Sequence, residues 1–237
     1  LKSGKNVFVE KPLALTLDEL NVIDKAYHEA NRSNTVRLMV GFNRRYSPHI
    51  VKMKELLNSH RSPKSIIMTV NAGAIPGEHW VQNSLIGGGR IIGEGCHFID
   101  LMRHLVGHKV TNFQATMMGN VPGVEVREDK ASITLSFEDG SFGTIHYLAN
   151  GGSAFPKERI EVFCDNAVLQ MDNYRVLTGY GWPGFKKMKL FKQDKGQKAC
   201  VKAFIDSISN GTEAPITYEE VMESSRVSIE VANALRG

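Results

Sequence analysis

The chain has 237 residues, of which 42% are hydrophobic and 23% charged, with a formal net charge of +4. This length allows one large domain or two small ones with a real core, and the composition excludes a disordered, collagen-like or disulfide-framed chain. The charges are intermixed; only Lys186, Lys187, Lys189, Lys192 and Lys195 form a basic run, whose partly alternating pattern reads as a solvated strand face, so no nucleic-acid partner is expected.

Cys96, Cys164 and Cys200 are odd in number, far apart and without CxxC spacing, which predicts reduced thiols in a cytoplasmic protein. No apolar run approaches a membrane span and no signal-peptide pattern is present, so no membrane partner is expected. The chain opens at Leu1, in what reads as the tail of a helix, which predicts a fragment of a longer protein.

Taken in order, Gly4 closes that helix and Val7-Phe8-Val9 is a short apolar strand of the kind buried in a parallel sheet. Glu10-Lys11-Pro12 follows at the strand's carboxyl end, where an open α/β sheet forms its ligand crevice. Thr16 with Glu19 three residues on is a capping box opening a helix to about Asn31. A strand over Val36 to Phe42 then delivers Asn43-Arg44-Arg45-Tyr46 to a second carboxyl end. Strand, helix, strand is a βαβ unit, the end of a doubly wound domain.

Ser47-Pro48 opens a helix to about Asn58, and Ser62-Pro63 marks the step into the strands of a second domain. Ser65 to Asn71 is a strand. The loop from Ala72 to Leu85 carries His79 and Trp80, the latter either walling a sugar pocket or standing as a lid or satellite-core residue. Gly87-Gly88-Gly89 then feeds an amphipathic helix with Phe98, Leu101, Met102 and Leu105 on its core face. His97, Asp100 and His104 share another face, near the helix start, where free N–H groups favour an anion or a polarised oxygen. The bland reading of that face is a buried helix with ordinary histidines.

Alternation follows at Val110 to Met118, Ala131 to Phe137 and Ser141 to Ala149, with Asp139-Gly140 as a hairpin turn. Glu158 to Cys164 and Ala167 to Met171 pair about Asp165-Asn166, and Arg175 to Thr178 and Phe185 to Phe191 continue the pattern. Helices Gln197 to Ser209 and from Thr217 onward close the chain. The fold class is α/β (α+β): a remnant of a doubly wound domain, then a large, mainly antiparallel open sheet with helices on one face. Gly179-Tyr180-Gly181-Trp182-Pro183-Gly184 has GxGxxG spacing, but Pro183 and the strand after it leave no helix N-terminus for a pyrophosphate, so it reads as a turn.

Val7-Phe8-Val9-Glu10-Lys11-Pro12, Val40-Gly41-Phe42-Asn43-Arg44-Arg45 and Gly87-Gly88-Gly89 with His97 and Asp100 resemble, in type and order, the glucose-fructose oxidoreductase, inositol dehydrogenase and rhizopine-catabolism (Gfo/Idh/MocA) family. The resemblance implies a Rossmann dinucleotide-binding domain ending within residues 1–46 and a substrate and oligomerisation domain over 47–237. It implies NAD or NADP as cofactor, a sugar, nucleotide sugar or cyclitol as substrate, and a homo-oligomer through the open sheet face. By likeness Lys11 sits near the nicotinamide and substrate hydroxyl, with Glu10 and Pro12 at the cofactor edge, and His97 is the general base or proton relay. Arg44 and Arg45 fall at the cofactor and substrate edge, and Asp100 orients the helix or His97; Trp80, from its loop, is the candidate wall of the substrate pocket.

Where many members have an Asp four residues before that histidine, this chain has Gly93, with Glu94 next door. Glu94 therefore either reaches the site from a later helix start or the proton relay differs. The form GGGRIIGExxHFxD is similar to a branch often fused behind a zinc-type alcohol dehydrogenase module and linked to polysaccharide biosynthesis. The competing class is a non-catalytic sugar-binding or dimerisation module of the same fold. A metal at Cys96, His97, Asp100 and His104 is disfavoured because Cys96 and His97 point to different helix faces, so no metal is expected.

Overall fold

The computed structural model describes residues 1–32 and 35–237. Strands β1 (Val7–Val9) and β2 (Leu38–Val40) pair in parallel and are joined by helix α1 (Leu17–Asn31). Thr16 caps α1 by accepting the Glu19 amide, and the Glu19 carboxylate accepts the Leu15 and Thr16 amides in return. β2 is shorter than the predicted Val36 to Phe42. The Phe42 amide bonds back to the Val40 carbonyl and Asn43 to Gly41, so the chain curls into a 3-10 turn over Asn43–Tyr46 instead of extending. Helix α2 (Pro48–Leu57) follows with Pro48 in its first turn.

An eight-stranded sheet fills the rest of the molecule. The chain enters it in the middle with β3 (Ser65–Asn71), then crosses over helix α3 (Cys96–Val106) to an edge. From there β4 (Val110–Met117), β5 (Lys130–Phe137) and β6 (Phe142–Leu148) return as a meander, β6 pairing in parallel with β3. On the other flank of β3 the meander continues through β7 (Glu158–Cys164), β8 (Ala167–Asp172), β9 (Val176–Tyr180) and β10 (Lys187–Lys189). The other neighbouring pairs are antiparallel. The predicted Phe185 to Phe191 strand survives only as β10. Gly181 and Gly184, both at positive φ, turn the chain between β9 and β10, so the GxGxxG spacing is indeed a turn.

Alternation decides the two faces of this sheet. Ile66, Met68, Val70, Ile133, Leu135, Ile145, Ile160 and Val162 point inward and pack under Phe98, Ile99, Leu101, Met102 and Leu105 of α3. Helix α5 (Tyr218–Arg236), capped by Thr217, lies on the same side and meets α1 through Tyr27 stacked on Tyr218 at 3.6 Å. Helix α4 (Gln197–Ser209) instead covers the two-stranded sheet, where Phe204 and Cys200 join Met39, Val40 and Phe42 in a smaller core. The last third of the chain thus completes the layer that the first forty residues begin. No helix among the described residues is long and apolar enough to cross a membrane.

Candidate active site

The triple glycine solves a packing problem. A Cβ on Gly87 would stand 2.5 Å from Val81 Cα, and Gly88 and Gly89 take φ values of +74° and +75°. The right-handed helical backbone already begins at Arg90, about two turns before His97, so the expectation that His97 lies beside free helix-start amides is corrected. What lies there instead is a wide turn: Ile91–Gly95 is π-helical before α3 begins. A π turn interrupts the regular ladder of a helix, and here the Gly93 carbonyl accepts a hydrogen bond from Lys11 Nζ at 2.5 Å.

That contact closes a cleft of about 390 Å³ between the end of β1 and the π turn, lined among others by Lys11, Pro12, Trp80, Arg90, Gly93 and Glu94. Trp80 lies in a short 3-10 turn at 61% exposure, with His79 beside it, and so forms part of the cleft's apolar wall. A Cβ on Gly93 would make only ordinary contacts, at 3.6 Å from the Gly87 carbonyl and beyond. Position 93 thus has room for a side chain but carries none, and the carboxylate in the cleft comes from the next residue, Glu94.

Glu94 is held from three sides: Lys157 Nζ at 2.7 Å, Tyr147 Oη at 2.5 Å and Arg90 Nη2 at 3.0 Å. Burial alone would raise its pKa, but the Lys157 and Tyr147 hydrogen bonds and the surrounding positive charge bring it down to about 2. Glu94 is thus a fixed anion at neutral pH. Arg90 also donates to the Gly73 and Ala72 carbonyls, tying the loop after β3 to the π turn.

His97 is 5% exposed, its ring edge-on to Phe42, and its Nδ1 is buried without a hydrogen-bond partner among the described residues. Burial and then the charges of Arg44, Lys11, Lys195 and Lys157 hold its pKa well below the usual 6.5. The imidazole is therefore neutral at pH 7, with one ring nitrogen left as an acceptor. Behind it, Arg44 binds Glu158 through two hydrogen bonds of 2.9 and 3.0 Å, and Lys195 Nζ reaches the same carboxylate at 2.6 Å.

Arg45 and Asp100 are brought to each other and away from the cleft. The guanidinium meets the carboxylate at 2.8 and 2.6 Å, with Glu220 and Ser224 of α5 completing the cluster. Asp100 makes no hydrogen bond to His97; it fixes α3 against the 3-10 turn and α5. His104, two turns along α3 from His97, lies near Arg45, Lys54 and Arg103. Cys96, His97, Asp100 and His104 do not converge. Among the described residues, the His, Cys and Asp side chains that do converge are His60, Cys164 and Asp165, outside the cleft, where His60 Nδ1 meets Asp165 Oδ2 at 2.8 Å. Glu10 turns its carboxylate toward Gly41, Pro12 lines the cleft, and the Lys11–Pro12 peptide is cis.

Sequence reasoning missed Arg90, Tyr147, Lys157, Glu158 and Lys195. Tyr147 is one inward residue of a regular strand, and Lys157 and Glu158 reach the site only because β7 pairs with β3 in a register that sets Glu158 opposite Val70. No local pattern marks any of the five.

The fold and cleft define an α/β protein whose two-stranded parallel layer meets a broad mixed sheet at a cationic, histidine-bearing crevice. The family model of the GFO/IDH/MocA C-terminal domain matches residues 51–170, and the chain belongs to that family of oxidoreductases. It is 31% identical to the scyllo-inositol 2-dehydrogenase (NAD(+)) of Bacillus subtilis, the match covering 99% of the chain and 70% of that protein. It is 27% identical to the myo-inositol 2-dehydrogenase of Thermotoga maritima over 92% of the chain and 67% of that protein. An oxidoreductase domain protein from Kribbella flavida superposes with a TM-score of 0.81 at 20% identity, covering 99% of the chain and 74% of that protein. The chain thus spans about two thirds of the length of these relatives.

Proposed function

We propose that the chain is the substrate-binding and catalytic portion of an NAD(P)-dependent dehydrogenase acting on a secondary alcohol of a sugar, nucleotide sugar or cyclitol. The observation that carries this reading is that Lys11 and Glu94 line one cleft, with the buried, neutral His97 beside it and within reach of the Lys11 charge. Nicotinamide, when bound, accepts the hydride. Glu10, Lys11 and Pro12 would form its edge of the cleft, and the buried, unpartnered His97 Nδ1 fits a site whose polar partners arrive with ligands. Lys11 then polarises the substrate oxygen, His97 takes the hydroxyl proton as the carbon loses hydride, and Glu94 positions Lys157 and Tyr147 around the reacting group. Arg44 supports the floor through Glu158, and Trp80 covers the sugar's apolar face.

In this reading residues 1–46 are the closing part of the dinucleotide-binding domain and most of its cofactor surface lies outside residues 1–237. A second copy of the chain covers the outer sheet face, where paired positions set Tyr180, Val168, Phe163, Ser65 and Phe142 in one largely apolar row. Gly93 in place of an acid favours the alternative, a sugar-binding or dimerisation module without catalysis. Fluorescence titration with NADH and NADPH, on this chain and on one extended upstream through a complete dinucleotide-binding domain, separates the two. Binding by the extended chain, followed by hydride transfer to a sugar or cyclitol, supports the dehydrogenase. Absence of nicotinamide binding by either overturns it.

A further inference from the structure

Around His97 and the π turn the described residues place five cationic side chains, Lys11, Arg44, Arg90, Lys157 and Lys195, against two carboxylates, Glu94 and Glu158. Lys157 and Arg90 share Glu94, Arg44 and Lys195 share Glu158, and Lys11 has only the neutral Gly93 carbonyl. Of the other nearby acids, Asp129 pairs with Lys130, Glu128 with Arg236 and Asp100 with Arg45, while Glu10 beside Gly41 and Asp194, which accepts the Gly196 amide, are exposed to solvent. Cations thus outnumber the carboxylates that answer them by three around this partly buried site, an excess that an incoming anion would balance.

We propose that the hydroxylated substrate of this site is itself an anion, a sugar carrying a carboxylate or a phosphate, with Lys157 and Lys195 as the groups that receive its charge. The inference rests on the dehydrogenase reading and narrows its substrate class. Lys157 and Lys195 are the most accessible of the carboxylate-bound cations, with side chains 40% and 18% exposed against 7% and 6% for Arg44 and Arg90. Each can turn from its shared carboxylate to an incoming anion while its Arg partner keeps that carboxylate satisfied. The anion also does chemical work. The cations that hold His97 low are partly neutralised when it binds, so the imidazole gains basicity as the substrate seats.

The test is calorimetric titration of the chain with D-glucose and myo-inositol against D-glucuronate and glucose 1-phosphate, at low and at high salt. Binding of an acid at least about tenfold tighter than either neutral compound, weakened by salt and lost in the Lys157→Gln/Lys195→Gln variant, is the expected result. The carboxylate and phosphate arms show which anion the site takes. Equal binding of neutral and acidic compounds overturns the inference while leaving the dehydrogenase reading intact, and so does acid binding that survives the double substitution. Binding of none of the four also overturns it, whereas the dehydrogenase reading falls only if nicotinamide binding by the extended chain fails. Acid binding by the extended chain that saturating NADH abolishes would assign the excess charge to the cofactor and overturn the inference too.

Discussion

The Arg44 guanidinium lies flat against the Glu158 carboxylate, donating from Nε at 2.9 Å and from Nη2 at 3.0 Å, with both side chains almost wholly buried. The pair joins the 3-10 turn after β2 to the first residue of β7, and so fixes the two-stranded layer to the middle of the large sheet at the floor of the His97 site. Burial lowers the Arg44 pKa, but Glu158 more than reverses this; Glu158 itself lies below its usual value despite burial. Removing one partner leaves the other charged and buried. Arg44→Ala is expected to cost about 3 to 5 kcal/mol in urea denaturation. A loss under 1 kcal/mol would show that the layers are held by apolar packing alone.

Glu94 gives the site a pH signature. Its pKa falls from the usual 4.5 to about 2 in the folded chain, so its stabilising effect is complete above pH 4.5 and is lost as pH drops toward 2. The shift corresponds to roughly 3 kcal/mol at most. Wild-type stability should therefore fall more steeply than that of Glu94→Gln between pH 5 and about 2. Parallel curves in acid denaturation would place the carboxylate outside the Lys157, Tyr147 and Arg90 cluster.

Lys11 and His97 carry the proposed chemistry, and neither anchors an ion pair. Lys11→Ala and His97→Ala, in the chain joined to a complete dinucleotide-binding domain, should each lower kcat by about 10²- to 10⁴-fold, with the melting temperature little changed in Lys11→Ala. Retention of activity in His97→Ala would remove it as the base. A loss confined to KM would make it a binding residue.

Gly143 in β6 lies directly under Met102 of α3. A Cβ there would meet Met102 Sδ at 2.6 Å and Ile66 Cβ at 2.9 Å, and only the methionine can swing away. Gly143→Ala should destabilise by about 1 to 3 kcal/mol, and Met102→Ala in the same chain should recover part of that loss relative to the sum of the single changes. Additive losses would mean that Ile66 and the strand backbone absorb the strain.

The outer sheet face offers a test of assembly. Phe142, Phe163 and Tyr180 are 40 to 53% exposed along one row of paired strands. If a second copy covers them, Phe142→Lys with Phe163→Lys should reduce the mass measured by light scattering to that of a monomer without altering circular dichroism. An unchanged mass would place any interface elsewhere.

By itself the sequence determined the elements. The capping box at Thr16, the hairpin turns at Asp139-Gly140 and Asp165-Asn166, and the alternation of β3 through β8 are local properties, set by backbone sterics and side-chain period, and they appear in the structure at or within a few residues of their predicted places. Lys11, Trp80 and Glu94 could be picked out by position and line the cleft, with His97 beside it, surrounded by its charges. Only the tertiary structure decided their partners. The register of β7 on β3 brings Lys157 to Glu94 and Glu158 to Arg44, the inward phase of β6 aims Tyr147 at Glu94, and packing of α3 against the 3-10 turn takes Asp100 for Arg45. Those pairs span from 53 to 114 positions along the chain, and charge pairing between residues so far apart follows from sheet order and helix packing, which no window of the sequence contains.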